Sequence, residues 1–183
     1  MSPILGIWAS SIQPSLNATS FDSIATVTVG SGGSSTITFS SIPSTYKHLQ
    51  IRIIARSAYS GASDYMTLTA PSAGTWYHQL YGDGSSAGAV AGNYLKLVTL
   101  MPAATSTASV FGTSIVDILD YANTNKTKTM RSLNGYDANG SGRLGLYSAN
   151  IDTTTAISTI TLASDNGANF AQYSHFALYG IKA

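Results

Sequence analysis

The segment Ser23-Ile24-Ala25-Thr26-Val27-Thr28-Val29 alternates apolar and small polar side chains with a period of two. That period places every second side chain on the same side of an extended backbone, so the segment reads as a half-buried β-strand. The pattern returns along the chain and no helical period competes with it. The residues that best support an exposed helix are also missing. There is no glutamate, and the 183 residues hold only 9 Lys and Arg together with 8 Asp. Ser, Thr, Asn and Gly fill the polar positions instead, and these favour strands and turns over helix interiors. The expected fold class is all-β.

The order of strands follows from the same rule. Ile24–Val29 and Thr36–Phe39, joined by Gly30-Ser31-Gly32-Gly33-Ser34-Ser35, read as a hairpin. Lys47–Arg56 is a strand with His48, Gln50 and Arg52 on one face and Leu49, Ile51 and Ile53 on the other. Residues 58–64 read as a loop, Met66–Thr69 as a short strand, and Trp76–Tyr81 as an aromatic-rich strand. Gly82–Gly92 reads as a long loop of small residues, followed by a strand over Tyr94–Leu100 and a loop over Pro102–Ser109. Ser114–Tyr121 is a strand of looser alternation. Lys126–Tyr136 and Arg143–Ser148 form a hairpin, and Ile157–Leu162 and His175–Ile181 complete the set. About ten short strands with turn signals between them predict an antiparallel β-sandwich, jelly-roll-like, with an extended N-terminal arm. The arm is assigned to residues 1–20 and the sandwich domain to residues 21–183.

Composition narrows the chemistry. With no cysteine there is no disulfide, thiolate nucleophile or cysteine zinc site. A net charge of +1 lacks the basic face of a nucleic-acid binder. No apolar run reaches the roughly 18 residues of a membrane-spanning helix, so neither nucleic acid nor membrane is an expected partner. The near-neutral, Ser/Thr/Gly-rich surface predicts association, and a homo-oligomer is expected. The N-terminal stretch is apolar but has no basic flank, the first basic residue being Lys47, and Pro3 and Gly6 interrupt it. It is expected to be retained rather than cleaved as a signal, and to dock on a partner or neighbouring subunit through Ile4, Leu5, Ile7 and Trp8. Lys126, Lys128, Arg131 and Arg143 form the one basic concentration. Lys126 and Lys128 are expected to share a strand face, either solvated or docked on an acidic protein partner.

Motifs that resemble catalytic signatures lack their context. Gly84-Ser85-Ser86-Ala87-Gly88 fits G-x-S-x-G, but a nucleophile elbow needs a helix after the serine. Gly140-Ser141-Gly142-Arg143-Leu144-Gly145 fits G-x-G-x-x-G, yet Leu144–Tyr147 reads as strand where a dinucleotide site needs a helix. Asp137–Gly142 opens like a calcium loop, but Ser148 stands where the bidentate acid belongs. His48, His78 and His175 are far apart, and Asp117 and Asp120, the one close acidic pair, would face opposite sides of a strand. The Asn-x-Ser/Thr triplets at Asn17, Asn125 and Asn139 arise readily in so Asn/Ser/Thr-rich a chain. Trp76, Tyr77, Tyr81 and Tyr94 are candidates for a sugar-stacking face, with core packing as the alternative. No catalytic, cofactor-binding or metal-ligating residue is assigned, and the chain is read as a non-enzyme without cofactors.

A family resemblance adds to this. The residues that carry it are the N-terminal Ile4–Ile12 segment, Phe21–Gly30, Ile42–Arg52, Asp117–Lys126 and the closing Ala171–Ile181. Together they resemble the small β-rich virion proteins of tailed bacteriophages, especially phages of aquatic bacteria. The resemblance spans nearly the whole chain and rests on structural motifs, so it implies a virion location and no catalytic residues. The expected function is capsid decoration: a cement protein on the outer surface of the head that bridges major capsid protein subunits. The alternative is a tail-fibre or receptor-binding module for host surface glycans, the one reading under which a glycan is bound.

Overall fold

The computed structural model describes residues 20–71, 76–92 and 97–182. These residues form twelve strands and no helix. They are β1 (Phe21–Thr28), β2 (Thr36–Phe39), β3 (His48–Ala55), β4 (Ser63–Thr69), β5 (Tyr77–Gly82), β6 (Ala87–Gly92), β7 (Leu97–Pro102), β8 (Gly112–Leu119), β9 (Lys128–Asp137), β10 (Gly142–Ile151), β11 (Ile160–Ser164) and β12 (His175–Ile181). Every pairing is antiparallel. One sheet has eight strands in the order β1-β12-β3-β8-β9-β10-β5-β6, and the other has four in the order β2-β11-β4-β7. The all-β sandwich read from the alternation is the fold.

Eight of the strands make the interleaved double Greek key of a jelly roll. β1, β12, β3 and β8 sit in one sheet and β2, β11, β4 and β7 in the other, so the chain changes sheet at each early connection. For that reason Ile24–Val29 and Thr36–Phe39 are not a hairpin. The amide of Val29 donates to the Ser174 carbonyl at 2.8 Å, holding this end of β1 on the β12 side. The chain then turns at Gly33, whose φ is +69°. A Cβ there would lie 2.9 Å from the Phe170 carbonyl oxygen, so glycine is needed for both conformation and space. Beyond it, β2 enters the opposite sheet and pairs with β11.

Between the sheets lies one core. Leu49, Ile51, Ile53 and Ala55 point inward from β3, Phe176 and Leu178 from β12, Met66 and Leu68 from β4, and Ile160 and Leu162 from β11. Phe170 stacks edge-on against Phe176 with centroids 5.0 Å apart. Full burial of side chains this size is worth roughly 1.5–3 kcal/mol each.

Polar groups, one of them fully buried, fasten the loops to this core. The Asp64 carboxylate, 1% exposed, accepts from Ser57 Oγ at 2.6 Å, Ser164 Oγ at 2.5 Å and Asn166 Nδ2 at 2.8 Å. It ties the start of β4 to the end of β11. The Arg56 guanidinium donates to the carbonyls of Thr107 (2.7 Å), Val110 (2.9 Å) and Ser106 (3.0 Å), closing the 103–110 loop. Charge-assisted bonds of this kind are the strong ones, and each carbonyl they satisfy would otherwise lose a partner.

Two hairpins extend the larger sheet beyond β8. β9–β10 follows β8 directly, and β5–β6 is inserted between β4 and β7. The β9–β10 turn carries Asn139 (φ 61°) and Gly140 (φ 97°), the paired positive values of a type I′ reversal. β6 corrects the expected 82–92 loop. Asp83 Oδ1 accepts from the amides of Ser85 and Ser86 at 3.0 and 2.7 Å, which tightens the reversal so that Ala87–Gly92 can pair with β5. The ring of Tyr81 lies over Gly88 and that of Tyr77 over Gly92, where an added Cβ would meet them at 2.6 and 3.2 Å.

Candidate docking face

The outward surface of the eight-stranded sheet changes character half-way across. A single cross-strand row runs Thr26–Ala177–Arg52–Ile115–Leu133–Leu146–Leu80–Ala89, from β1 to β6. Thr26, Ala177 and Arg52, in the jelly-roll half, bring two polar side chains and one small apolar one. From Ile115 onward the row is apolar. Ile115, Leu133, Leu146 and Leu80 are 44%, 52%, 49% and 60% exposed. Ile54 and Leu144 flank the row and are also exposed. Opposed residues in adjacent strands have Cβ atoms about 5 Å apart, so these side chains form one contiguous patch.

Two inner rows change in the opposite sense, one between β3 and β8 and one between β8 and β9, while a third, Leu49–Ile118–Met130–Ala149–Tyr77, stays apolar. Phe176 and Ile53 give way to Ser114 and Asn134, and Leu178, Ile51 and Val116 give way to Ser132, Tyr147 and Gln79. All of these side chains are buried. Ser114 Oγ and Thr99 Oγ1 are 2.5 Å apart, Ser132 Oγ donates to the Val98 carbonyl, and Asn134 Nδ2 donates to Ser132 Oγ at 3.4 Å. β7 packs over this seam and supplies two of its partners. Burial pushes the Tyr147 phenol well above its ordinary pKa.

A polar tile borders the apolar row. Asp117 pairs with Arg131 Nε at 3.1 Å and accepts from Gln50 Nε2 at 2.9 Å, while Arg52 Nε donates to Gln50 Oε1 at 3.0 Å. The Arg52 guanidinium lies 5.0 Å from the Tyr179 ring centre and 5.5 Å from that of Phe21. Asp117 offsets Arg131, and Arg52 is held by the Gln50 amide oxygen and the two rings. The apolar row has no cover within the described residues.

The residues nominated from sequence fall in different places. Ile4, Leu5, Ile7 and Trp8 lie outside the described residues. Lys126 and Lys128 do not share a strand face, which corrects the expected basic pair. Lys126 precedes β9, is exposed, and pairs with Asp120. Lys128 is fully buried, and its ammonium donates to the carbonyls of Asn123, Lys126 and Thr153, at 3.3 and 3.1 Å for the latter two. A lysine locked inside a carbonyl cage presents no charge to an acidic partner. Burial lowers its pKa.

Asp117 and Asp120 serve separate ion pairs. Asp117 belongs to the outer tile, whereas Asp120 sits just past β8 at φ 51°. It is bound by Lys126 and by Lys47 at 2.9 Å, and these cations hold its carboxyl down to about pKa 2. The backbone amide of Asp120 donates to His48 Nδ1 at 3.0 Å. His48 and His175 stand at opposite ends of the β3–β12 ladder, and His78 is on β5. The serine of the G-x-S-x-G stretch lies in the β5–β6 reversal between two strands, its Oγ donating to Asp83 Oδ2 at 2.9 Å. Of the proposed stacking rings, Trp76 is exposed, but Tyr77 is buried against Tyr147 and Tyr81 carries the Arg143 guanidinium 3.7 Å from its ring centre. Tyr94 lies outside the described residues.

Sequence reasoning missed the apolar row. Its members come from four strands, three of them consecutive and the fourth, β5, far from them in the chain, and only the pairing register aligns them. A signal was present: in Ser114-Ile115-Val116-Asp117-Ile118-Leu119 both strand phases are apolar, so one large apolar phase must face outward. Comparison with protein-family models, curated proteins and solved structures finds no match to this chain.

Proposed function

We propose that this chain is a virion structural protein of the capsid-decoration type, docking on an assembled protein shell through the outward apolar row of its larger sheet. The observation that carries the reading is that row: Ile115, Leu133, Leu146 and Leu80 stand side by side in solvent, where the same row across β1, β12 and β3 carries Thr26, Ala177 and Arg52. Contiguous exposed apolar patches mark interaction sites. The likeness to phage virion proteins supplies the class of partner, a major capsid protein. The low charge suits a crowded, closely packed surface. The N-terminal segment with Ile4, Leu5, Ile7 and Trp8 is proposed as a second anchor. A cement of this kind needs no covalent chemistry. It binds the assembled shell and not the separate subunits, so mass action favours the shell, and many copies acting together multiply the effect.

The glycan-binding alternative is less well supported. It depends on a platform of several rings, and of the four nominated only Trp76 is exposed among the described residues. The two readings separate in one experiment. Purified protein is mixed with decoration-free expanded heads and, in parallel, with host cells, each with and without excess free sugar. Saturable binding to heads that ignores sugar supports decoration. Binding confined to cells and competed by sugar would replace it with the receptor-binding reading.

A further inference from the structure

We infer that β6 is a self-pairing edge: two copies of this chain join β6 to β6, antiparallel, about a two-fold axis through Ala89. The starting point is how the sheet edges are protected. Exposed edges invite a further strand, and proteins block them with charge, proline, bulges or brevity. β1 carries Asp22 and a register shift between Ser23 and Ala25. β7 ends in Pro102 and pairs irregularly with β4 at Met66/Thr67. β2 has four residues. β6, Ala87-Gly88-Ala89-Val90-Ala91-Gly92, has none of these devices, and among the described residues nothing pairs with its outer side.

The hydrogen-bond phase then fixes the register. Asp83 N donates to the Ser86 carbonyl, and Asn150 N donates to the Trp76 carbonyl. Antiparallel ladders alternate, so residues 77, 79 and 81 bond toward β6, and 88, 90 and 92 bond back toward β5. The amides and carbonyls of Ala87, Ala89 and Ala91 therefore point away from the sheet. A two-fold through Ala89 sets Ala89 against its own copy and Ala87 against Ala91, and all of these free groups become paired. The same three residues carry methyl side chains on one face, so no bulk opposes the approach. A second copy is the natural occupant because the edge is self-complementary under this operation.

The pairing has a consequence that does rest on the docking reading. The apolar row ends at Ala89, and a two-fold perpendicular to the sheet leaves both rows on one side, end to end. One row with its flanks offers on the order of 600 Å², less than the ~800 Å² per partner of a standard stable interface, and two rows exceed it.

The chain has no cysteine, which gives a clean test. In a hydrogen-bonded antiparallel pair opposed Cα atoms are about 5.5 Å apart, within disulfide range. Ala89→Cys is expected to form a disulfide dimer at least tenfold faster than a Ser148→Cys control on the same sheet face. Sedimentation should show a wild-type dimer. Ala89→Pro removes an outward-pointing N–H that β5 does not use, so it should yield a folded monomer, and Ala89→Lys should do the same if proline disturbs the hairpin. A wild-type monomer at tens of micromolar, cross-linking no faster than the control, or an oligomer that survives both substitutions would overturn the proposal. So would a dimer that dissolves when residues 1–12 are removed. None of these readouts involves a shell, so they stand apart from the test of decoration.

Discussion

The two halves of the eight-stranded sheet follow opposite rules. In the jelly-roll half, β3 and β12 turn Ile51, Ile53, Phe176 and Leu178 inward and show Gln50, Arg52 and His175 outward. Across the sheet, β8 and the added strands β9, β10 and β5 bury Ser114, Ser132, Asn134 and Gln79 and expose Ile115, Leu133, Leu146 and Leu80. Folding alone accounts for the first arrangement. In the second, the inward phase still supplies Val116, Ile118, Met130, Tyr147 and Ala149 to the core, and what the core does not explain is that Ile115, Leu133, Leu146 and Leu80 are left in solvent. Under the docking proposed above, that outward row is shaped by contact with a partner, whereas the first arrangement is shaped by the protein's own core.

The comparison can be broken at several strengths. Phe176→Ala in the jelly-roll core should be the most damaging change, costing about 3–5 kcal/mol in denaturant unfolding. Leu133→Ala in the added half should stay within about 1 kcal/mol, since that side chain is already half in water. Equal losses would mean that the outer row is part of the folding core. Asp64→Ala should cost about 2–3 kcal/mol, because it strands Ser57, Ser164 and Asn166 without their acceptor.

The buried seam offers a finer test. Ser114→Val alone leaves the Thr99 hydroxyl only the Leu100 carbonyl at 3.2 Å and should cost about 1 kcal/mol, whereas Ser114→Val with Thr99→Val should recover most of it. A double variant worse than the sum of the singles would show that the hydroxyl pair organises β7 against β8 and is not merely tolerated there. The smallest effect concerns pH. Asp120 is lowered from 3.8 to about 2, by Lys126 first and Lys47 second. Its contribution is complete above about pH 4 and is lost as pH falls toward 2. The unfolding midpoint of Asp120→Asn should therefore fall less steeply than wild type across that window.

Much of the jelly-roll half was legible in the sequence. β3 and β12 lie within a residue or two of where the alternation puts them, because the bulky apolar phase of each, Leu49, Ile51 and Ile53 in one and Phe176 and Leu178 in the other, faces the core. The added half was not. β6 consists of Ala, Gly and one Val, so it has no hydrophobic period and little intrinsic strand preference. It becomes a strand because Tyr77 and Tyr81 lie over its glycines. Lys128 reads as a surface charge, and only the meeting of the Asn123 and Lys126 carbonyls of the β8–β9 connection with the Thr153 carbonyl beyond β10 makes it an internal clamp. The apolar row depends on cross-strand register, which no local window contains. The first and second strands were misjoined for a similar reason: a Gly/Ser-rich connection looks the same whether it reverses within one sheet or crosses to the other.

The central claim is that the outer row serves contact with a partner and not stability. The most direct measurement follows Leu133→Ser combined with Leu146→Ser through two readouts on one preparation: thermal unfolding, and saturation binding to decoration-free expanded heads. The account predicts a melting temperature within a few degrees of wild type and shell affinity reduced at least tenfold, the loss of roughly 1.4 kcal/mol or more of apolar burial. A variant that binds shells as tightly as wild type, or one that unfolds before it can be tested, would contradict it.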